Sequence, residues 1–148
     1  HTFGGRRTPR NAAMWGEGGT VYVYFTYGMH YCMNIVARTV DEPVAVLLRA
    51  LEPVEGLDAM RTRRARARRD RDLCSGPAKL CQALGVDRSQ DGLDLLENDD
   101  LFIEGVRLRP LPARQIVTTK RVGVAYAGEW ADRPLRFYVK GNPHVSAP

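Results

Sequence analysis

The stretch from residue 20 to residue 36 constrains the fold most, because it reads as a β-hairpin. Its first half alternates hydroxyl-bearing with purely apolar side chains, which is the period-2 pattern of a strand with two different faces. Gly28 lies near its centre, and glycine adopts the positive φ of a tight turn at little steric cost. We therefore predict two antiparallel strands joined through Tyr27, Gly28 and Met29, with the return strand running over residues 30–36.

The length of the tip decides which side chains share a face. A three-residue tip pairs Tyr24 with Cys32 and Tyr22 with Asn34, so that Tyr24 and Asn34 become diagonal neighbours on one face. A two-residue tip would place them on opposite faces. We adopt the three-residue tip, which gives an aromatic face carrying an amide and leaves Tyr27 exposed at the turn. The alternative is that each tyrosine is an ordinary strand residue packed on a half-buried sheet.

Residues 44–51 predict a third strand that is apolar on both faces and therefore central in the sheet. Arg49 interrupts this apolar run. A charge inside a buried strand is costly unless it is paired or functional, which makes Arg49 a candidate site residue. The structural alternative is an ion pair with Glu52.

Two helices are predicted, near residues 53–67 and 77–84. The first enters a run with seven arginines between Arg61 and Arg71. The end of this run is expected to fray or to form an arm near DNA, although a solvated face is the more common explanation for such runs. The second follows the helix-start signature Ser75-Gly76-Pro77 and ends at Gly85. Its free N–H groups and Lys79 could hold a phosphate, or the start could be an ordinary cap.

Short strand-like segments separated by prolines occupy residues 101–103, 106–108, 115–118 and 135–139. Residues 121–132 are expected to form a loop that packs Trp130. Taken together, these patterns predict a single α+β domain, built around a curved, mostly antiparallel β-sheet with a protruding hairpin and flanking helices.

The first 19 residues are rich in glycine and arginine and predict an ordered but irregular segment. Its expected anchors are Phe3, Met14 and Trp15. Arg6, Thr8 and Arg10 are candidates for contacts with backbone phosphates. The formal net charge of +5 comes mostly from arginine, which favours a polyanionic partner, although a merely basic surface would have the same composition.

Several classes of protein are disfavoured. The three cysteines are odd in number and form no Cys-x-x-Cys pair, which predicts reduced thiols in the cytoplasm. The three histidines are scattered, and no phosphate-binding glycine loop is present, so we predict no metal and no cofactor. No apolar run approaches the ~18 residues of a membrane helix. Because the chain begins at His1 without a signal peptide, we expect a fragment. We also expect a monomer.

Five motifs in order carry a family resemblance: TPRN at 8–11, YVYFTYGMHYCMN at 22–34, LLRALEP at 47–53, CSGPAKLCQALG at 74–85 and AGEWADRPLRFYV at 127–139. Over essentially its whole length the chain resembles the alkyladenine (3-methyladenine) DNA glycosylases of the MPG type, which also occur in bacteria. The resemblance implies a base-excision-repair enzyme that flips a damaged purine out of double-stranded DNA, at the nucleoid in the cytoplasm.

The resemblance also implies roles for particular residues. His1 and Tyr24 match walls of the aromatic base slot, and Tyr27 matches the wedge that fills the gap left by the flipped base. Asn34 matches the residue that crowds the 2-amino group of guanine, and Arg49 matches a residue that helps to hold the attacking water. The remaining DNA-contacting candidates are Arg6, Thr8, Arg10, Met29, His30, Ser75 and Lys79.

The catalytic glutamate of the family and a further tyrosine wall of the slot lie in a Glu-Thr-Glu-Ala-Tyr-like segment before the position of His1, and no such segment occurs in the 148 residues. We therefore expect a domain that lacks its first strand and its general base, binds DNA and releases no base. His1 could serve as a base, but as a terminal residue it is expected to be mobile. The competing hypotheses are a non-catalytic module for damaged DNA and a basic domain that binds RNA or protein.

Overall fold

The computed structural model describes residues 1–105 and 109–146. Its regular elements are five strands and two α-helices: β1 Val21–Thr26, β2 His30–Val36, β3 Ala45–Leu47, α1 Leu57–Arg63, α2 Pro77–Leu84, β4 Ile116–Thr119 and β5 Arg136–Val139. Short 3-10 turns occupy much of the remaining chain. The α+β class is therefore confirmed. The strand-like segment predicted at 106–108 lies outside the described residues.

β1 and β2 form the predicted antiparallel hairpin, and the three-residue tip is confirmed. Thr26 pairs with His30, and Tyr24 pairs with Cys32 in the same register. Tyr27 and Gly28 both adopt positive φ, at 52° and 67°. The tip is thus built on two left-handed residues, one of which is a tyrosine that must accept the strain.

The apolar face of the hairpin supplies the core. Its side chains pack against α2 and the segment before it, and the buried members of this cluster include Val21, Val23, Met33, Leu73, Leu80 and Cys81. Cys32, Cys74 and Cys81 are all buried free thiols. Because a strand alternates its side chains, using one face of the hairpin for the core leaves the tyrosine face for other contacts.

The free edge of β1 is covered by a loop. The backbone N–H of Val23 donates to the Asp91 carboxylate at 2.8 Å, and Arg88 donates to the Val23 carbonyl at 2.8 Å. Leu93 and Gly92 bond the backbone of Val21 in the same way. These contacts satisfy polar groups at the edge of the sheet, which blocks further strand pairing along this part of β1.

The prediction of a central third strand at 44–51 was wrong. β3 spans only Ala45–Leu47 and pairs with β2 alone, so β2 is the central strand of this three-stranded sheet. Val46 is 55% exposed. An apolar run does not distinguish a strand buried on two faces from an edge strand that leaves the sheet after three residues.

The helix predicted at 53–67 is shorter than expected. α1 begins after Gly56, which has φ of +68°, and ends before Arg64. Arg64 donates to the Gln82 side chain at 2.9 Å, so the arginine run turns towards α2 instead of continuing the helix. α2 runs to Leu84 and ends at Gly85 with φ of +75°, as predicted.

The C-terminal strands β4 and β5 pair with each other in a separate two-stranded sheet. Residues 101–103 are not a strand, although Ile103 donates to the Leu95 carbonyl at 3.3 Å. The loop was expected to pack Trp130, but the residue is 47% exposed. The Arg133 guanidinium lies 4.6 Å from its ring centroid. Within the described residues, no helix has the length and hydropathy needed to span a membrane.

Candidate functional site

Three aromatic rings form a continuous surface on the tyrosine face of the hairpin. The ring centroids of His1 and Tyr24 are 4.3 Å apart, and Tyr22 lies 5.6 Å from each of them. A purine stacked between two rings needs their centroids about 7 Å apart, twice a van der Waals contact. The His1 and Tyr24 rings are closer than this and their planes are inclined by 51°, so the two rings pack against each other and no base fits between them.

His1 makes two polar contacts with the rest of the fold. Its Nδ1 lies 2.8 Å from the hydroxyl of Tyr22, and its backbone carbonyl accepts a hydrogen bond from the Asn11 amide at 2.8 Å. Asn11 is 3% exposed and also bonds the Arg6 carbonyl and the Thr8 N–H. One buried amide thus folds the first eleven residues against the hairpin and sets the position of the His1 ring.

The anchoring of this N-terminal segment differs from the prediction in one respect. Met14 is 8% exposed and Trp15 is half-buried, but Phe3 is 94% exposed. Phe3 lies in a short turn whose Gly4 and Gly5 have positive φ. This local turn directs Phe3 to solvent, and the polar contacts of Asn11 take over the anchoring that was expected from the ring.

A pocket of about 280 Å³ lies beside two of these three rings, His1 and Tyr22. Its described lining residues are His1, Thr8, Arg10, Asn11, Tyr22 and Tyr126. The volume is close to the ~300 Å³ at which pockets for small ligands begin. None of these lining side chains is a carboxylate, so the pocket offers stacking, hydrogen-bonding and positive groups but no acidic general base.

Asn34 lies on the same face, as the register predicts. It is 7% exposed, and its amide Nδ2 donates to the Tyr22 carbonyl at 3.1 Å. Because one donor of the amide is fixed by the backbone of the neighbouring strand, the orientation of the side chain is fixed too. Asn34 can therefore present a rigid steric limit beside the wall.

Tyr24, Cys32 and Arg49 interact with one another. Burial raises the pKa of Tyr24 far above its usual range, and a hydrogen bond from its hydroxyl to Cys32 raises it further. Burial also raises the pKa of Cys32, against the opposing effects of that hydrogen bond and of the Arg49 charge. Both groups therefore stay protonated and neutral at physiological pH, and neither supplies a base.

The prediction that Arg49 lies within a buried strand was wrong, because the residue follows the end of β3 and is half-buried. Burial lowers the pKa of its guanidinium, and the positive charge of Arg136 lowers it further. Among the ion pairs of the described residues, none joins Arg49 to Glu52, which instead accepts a hydrogen bond from Asn142 at 3.3 Å. Arg49 is thus a partly desolvated cation near Tyr24.

The hairpin tip projects apolar side chains into solvent. Tyr27 is 85% exposed and Met29 is 69% exposed, and His30 beside them is also exposed. A tyrosine with positive φ is uncommon and strained, and strain of this kind concentrates at functional positions. The tip therefore has the form of a protrusion with an aromatic end.

The candidate phosphate contacts fall into two groups. Thr8 and Arg10 line the pocket, and Arg10 also donates to the Phe25 carbonyl at 2.9 Å, so part of its guanidinium is used to hold the hairpin. Ser75 and Lys79 lie at the start of α2, where the Lys79 ammonium donates to the Ser75 hydroxyl at 3.2 Å. The cap residue of α2 is Gly76, and Ser75 does not cap it.

Sequence reasoning missed two residues of the site. Asn11 was noted only as part of the TPRN motif, although a Thr-Pro-x-Asn spacing is typical of a capped turn. Tyr126 was placed in a loop, and it lines the pocket together with residues more than a hundred positions earlier. The run Ala-Tyr-Ala-Gly carries no periodic signal, and its one local mark is an aromatic residue two positions before a glycine.

Comparison with known proteins indicates the family of the chain. The family model described as methylpurine-DNA glycosylase matches residues 1–143. DNA-3-methyladenine glycosylase of Homo sapiens is 50% identical over 155 residues, which cover 99% of this chain and 51% of that protein. The Mus musculus protein of the same name is 47% identical, with 99% and 46% covered. A relative in Clostridium acetobutylicum is 44% identical, with 99% and 73% covered. The chain spans about half the length of the mammalian relatives that it matches.

Proposed function

Because this chain belongs to the methylpurine-DNA glycosylase family, we propose that the whole protein is a DNA glycosylase of base-excision repair. It flips an alkylated or deaminated purine out of duplex DNA and hydrolyses the N-glycosidic bond with an activated water. In a bacterial cell it would act as a monomer on the nucleoid. The observation that carries the proposal is the aromatic wall of His1 and Tyr24, positioned by the register of a hairpin whose tip presents Tyr27.

The wall suits purines that carry a positive charge. Alkylation of a ring nitrogen makes the base cationic, and a cation over an aromatic face gains roughly 0.5–2 kcal/mol. The same charge weakens the glycosidic bond, because the base then leaves as a neutral molecule. Binding and reactivity therefore select the same class of damage, and Asn34 would exclude an undamaged guanine by crowding its 2-amino group.

Tyr27 is proposed as the wedge. An aromatic ring that is 85% exposed at the hairpin tip can enter the stack when a nucleotide leaves it. Unstacking a base costs a few kcal/mol, and a ring that fills the gap offsets part of this cost. Met29 and His30 would rest on the flanking nucleotides, while Arg6, Thr8 and Arg10 contact phosphates on one side and Ser75 and Lys79 on the other.

Hydrolysis needs a water that is both held and deprotonated. Arg49 is cationic at neutral pH, so it can hold a water or stabilise a carboxylate but cannot accept a proton. We assign the general base to a glutamate in the segment that family members carry before the position of His1. The 148 residues alone are accordingly expected to bind damaged DNA and to release no base.

The test uses duplexes with a single hypoxanthine or ethenoadenine and an undamaged duplex of the same sequence. The chain should bind the damaged duplexes more tightly, and its affinity should fall steeply with salt, because several phosphates are neutralised. In single-turnover incubations it should release no free base, whereas the chain extended by a Glu-Thr-Glu-Ala-Tyr-like segment should release it.

Two outcomes contradict the proposal. Equal affinity for damaged and undamaged duplexes over a range of salt concentrations would leave only non-specific DNA binding. Base release by the short chain at the rate of the extended one would place the general base within the 148 residues, with His1 as the first candidate because its ring is fixed beside Tyr22.

A further inference from the structure

The seven arginines of residues 61–71, here called the arginine segment, take no part in the site described above. Two of them bind α2. Arg63 donates to the Ala83 carbonyl at 3.0 Å, and Arg64 donates to the Gln82 side chain at 2.9 Å. These two guanidiniums attach the segment to the core and are therefore structural.

Two further arginines are held by aspartates within the same segment and its continuation. Arg61 donates through Nε and Nη2 to the Asp70 carboxylate at 3.1 and 2.9 Å. Arg69 donates in the same two-pronged way to the Asp72 carboxylate at 3.0 and 3.2 Å. Because Arg61 lies in α1 and Asp70 lies nine positions later, the first of these contacts closes the segment on itself.

The remaining three arginines, Arg66, Arg68 and Arg71, are exposed. Among the described residues, none of the three makes a hydrogen bond or an ion pair. Ala67, between the first two, is half-buried and packs against the core cluster, which fixes the backbone on which their side chains are mounted. Each of these guanidiniums keeps its five N–H donors for a ligand.

A small concave site lies within the segment. It has a volume of about 100 Å³ and is lined by Arg61, Ala67, Arg68, Arg69, Asp70 and Leu73. This volume is far below the ~300 Å³ at which pockets for small molecules begin, so the site suits a single small anion and not a nucleoside. Three arginines against one aspartate make it positive, and the guanidinium fork matches the oxygens of a phosphate group.

The arginine segment lies on the side of the hairpin away from the pocket. Ala67 packs against the same core cluster as Val21 and Val23. The alternation of side chains along a strand places these valines on the face opposite to Tyr22, which lines the pocket. No residue of the segment is among the described residues that line the pocket. DNA bound at the pocket therefore leaves the segment open to another nucleic acid.

We propose that the arginine segment binds the phosphate backbone of a second DNA segment, separate from the duplex held at the pocket. Arg66, Arg68 and Arg71 make the contacts, and the concave site beside them takes one of the phosphates. Phosphate contacts carry no information about bases, so this binding does not depend on damage. The inference goes beyond the proposed function, since it requires neither a flipped base nor hydrolysis.

The experiment counts the duplexes that one chain binds. The 148-residue chain is saturated at low salt with a short duplex containing hypoxanthine, and the binding of a labelled undamaged duplex to that complex is followed by sedimentation velocity. The parent should bind the second duplex with an affinity that falls steeply with salt.

The test variant is Arg66→Gln/Arg68→Gln/Arg71→Gln. It should weaken binding of the second duplex about tenfold or more and reduce the slope of log affinity against log salt by about 2–3, since each lost phosphate contact removes about 1. Its affinity for the hypoxanthine duplex should stay within about twofold of the parent value, which also shows that the variant is folded.

The matched control, Arg38→Gln/Arg114→Gln/Lys140→Gln, removes three exposed cations outside the segment and the pocket lining, so its net charge equals that of the test variant. It should bind both duplexes as the parent does. A parent that binds no second duplex, or equal weakening in the test and control variants, would overturn the inference.

Two further outcomes separate the alternatives. If poly-glutamate binds the parent as tightly as the second duplex does, and loses this affinity in the test variant, the segment fits an acidic protein and the inference is wrong. If the parent binds a second duplex but shows no preference for damaged DNA, the proposed function fails and the inference stands.

Discussion

Asn11 is the residue whose removal should release the His1 ring from the aromatic wall. Its side chain accepts from the Thr8 N–H at 2.7 Å and donates to the carbonyls of His1 and Arg6 at 2.8 and 2.9 Å. Asn11→Ala removes all three bonds and leaves backbone polar groups without partners in a partly buried place. We expect the loss of the His1 position together with a loss of stability.

The magnitude follows from the number of bonds. Each contributes about 0.5–1.5 kcal/mol, and unpaired buried groups push the cost to the upper part of that range, so the three together are worth about 2–4 kcal/mol. For a chain of this size each kcal/mol lowers Tm by roughly 2–4 °C. Asn11→Ala should therefore lower Tm by roughly 5–15 °C. Asn11→Asp should be no better, because it turns a carboxylate oxygen towards two carbonyl oxygens.

The assay is urea unfolding followed by tryptophan fluorescence, since Trp15 lies just after the segment that Asn11 organises. Lesion binding is then measured under conditions where the variant remains folded. Asn98→Ala is the control: its side chain also accepts two backbone hydrogen bonds, from Asp100 and Leu101, but it does not line the pocket. If Asn11→Ala costs no more than Asn98→Ala, or binds lesions as the parent does, the reasoning is wrong.

Three further predictions test other parts of the molecule. Gly28→Ala should cost about 1 kcal/mol by urea unfolding, because its φ of +67° disfavours a Cβ while the space around it is open; a loss above about 3 kcal/mol would contradict this. Asn34→Ser should increase the affinity for a duplex with a G·T mismatch, since the shorter side chain admits the 2-amino group, and an unchanged affinity would count against the assigned role. Burial raises the pKa of the Cys81 thiol from 9.0 to about 11, so that on raising the pH the thiol ionises in the unfolded chain before it ionises in the folded one. The free energy of unfolding should therefore fall by about 1–3 kcal/mol between pH 9 and 11. In Cys81→Ala this fall in the free energy of unfolding should be smaller.

The hairpin could be predicted from the sequence in detail, because a period of two leaves few alternatives. Once the tip was taken as three residues, the pairing of Tyr24 with Cys32 and of Tyr22 with Asn34 followed, and both pairs are present. The end of α2 at Gly85 was equally predictable, since a glycine that can adopt the left-handed conformation after a helix is a local signal. Features determined within a few residues of chain were therefore predictable.

The failures concern features that depend on distant parts of the chain. Whether residues 44–51 lie at the centre or the edge of the sheet depends on what pairs with β3, and the apolar run itself carries no such information. α1 ends early because Arg64 and Arg63 contact α2, which a helix propensity cannot anticipate. Tyr126 lines the pocket together with His1 and Tyr22, which lie more than a hundred positions earlier in the sequence, and no periodic pattern links it to them.

The two faces of the hairpin divide stability from recognition. One face gives Val21, Val23 and Met33 to the core against α2, while the other gives Tyr24 and Asn34 to the site. Since a slip of one residue would exchange the faces, the interactions that bury the valines also determine which rings face the pocket. The hydrophobic core thus fixes the pairing of β1 with β2 and, with it, the side chains that face the site. The strained conformation of Tyr27 is tolerated because a shorter tip would change this pairing along the whole hairpin.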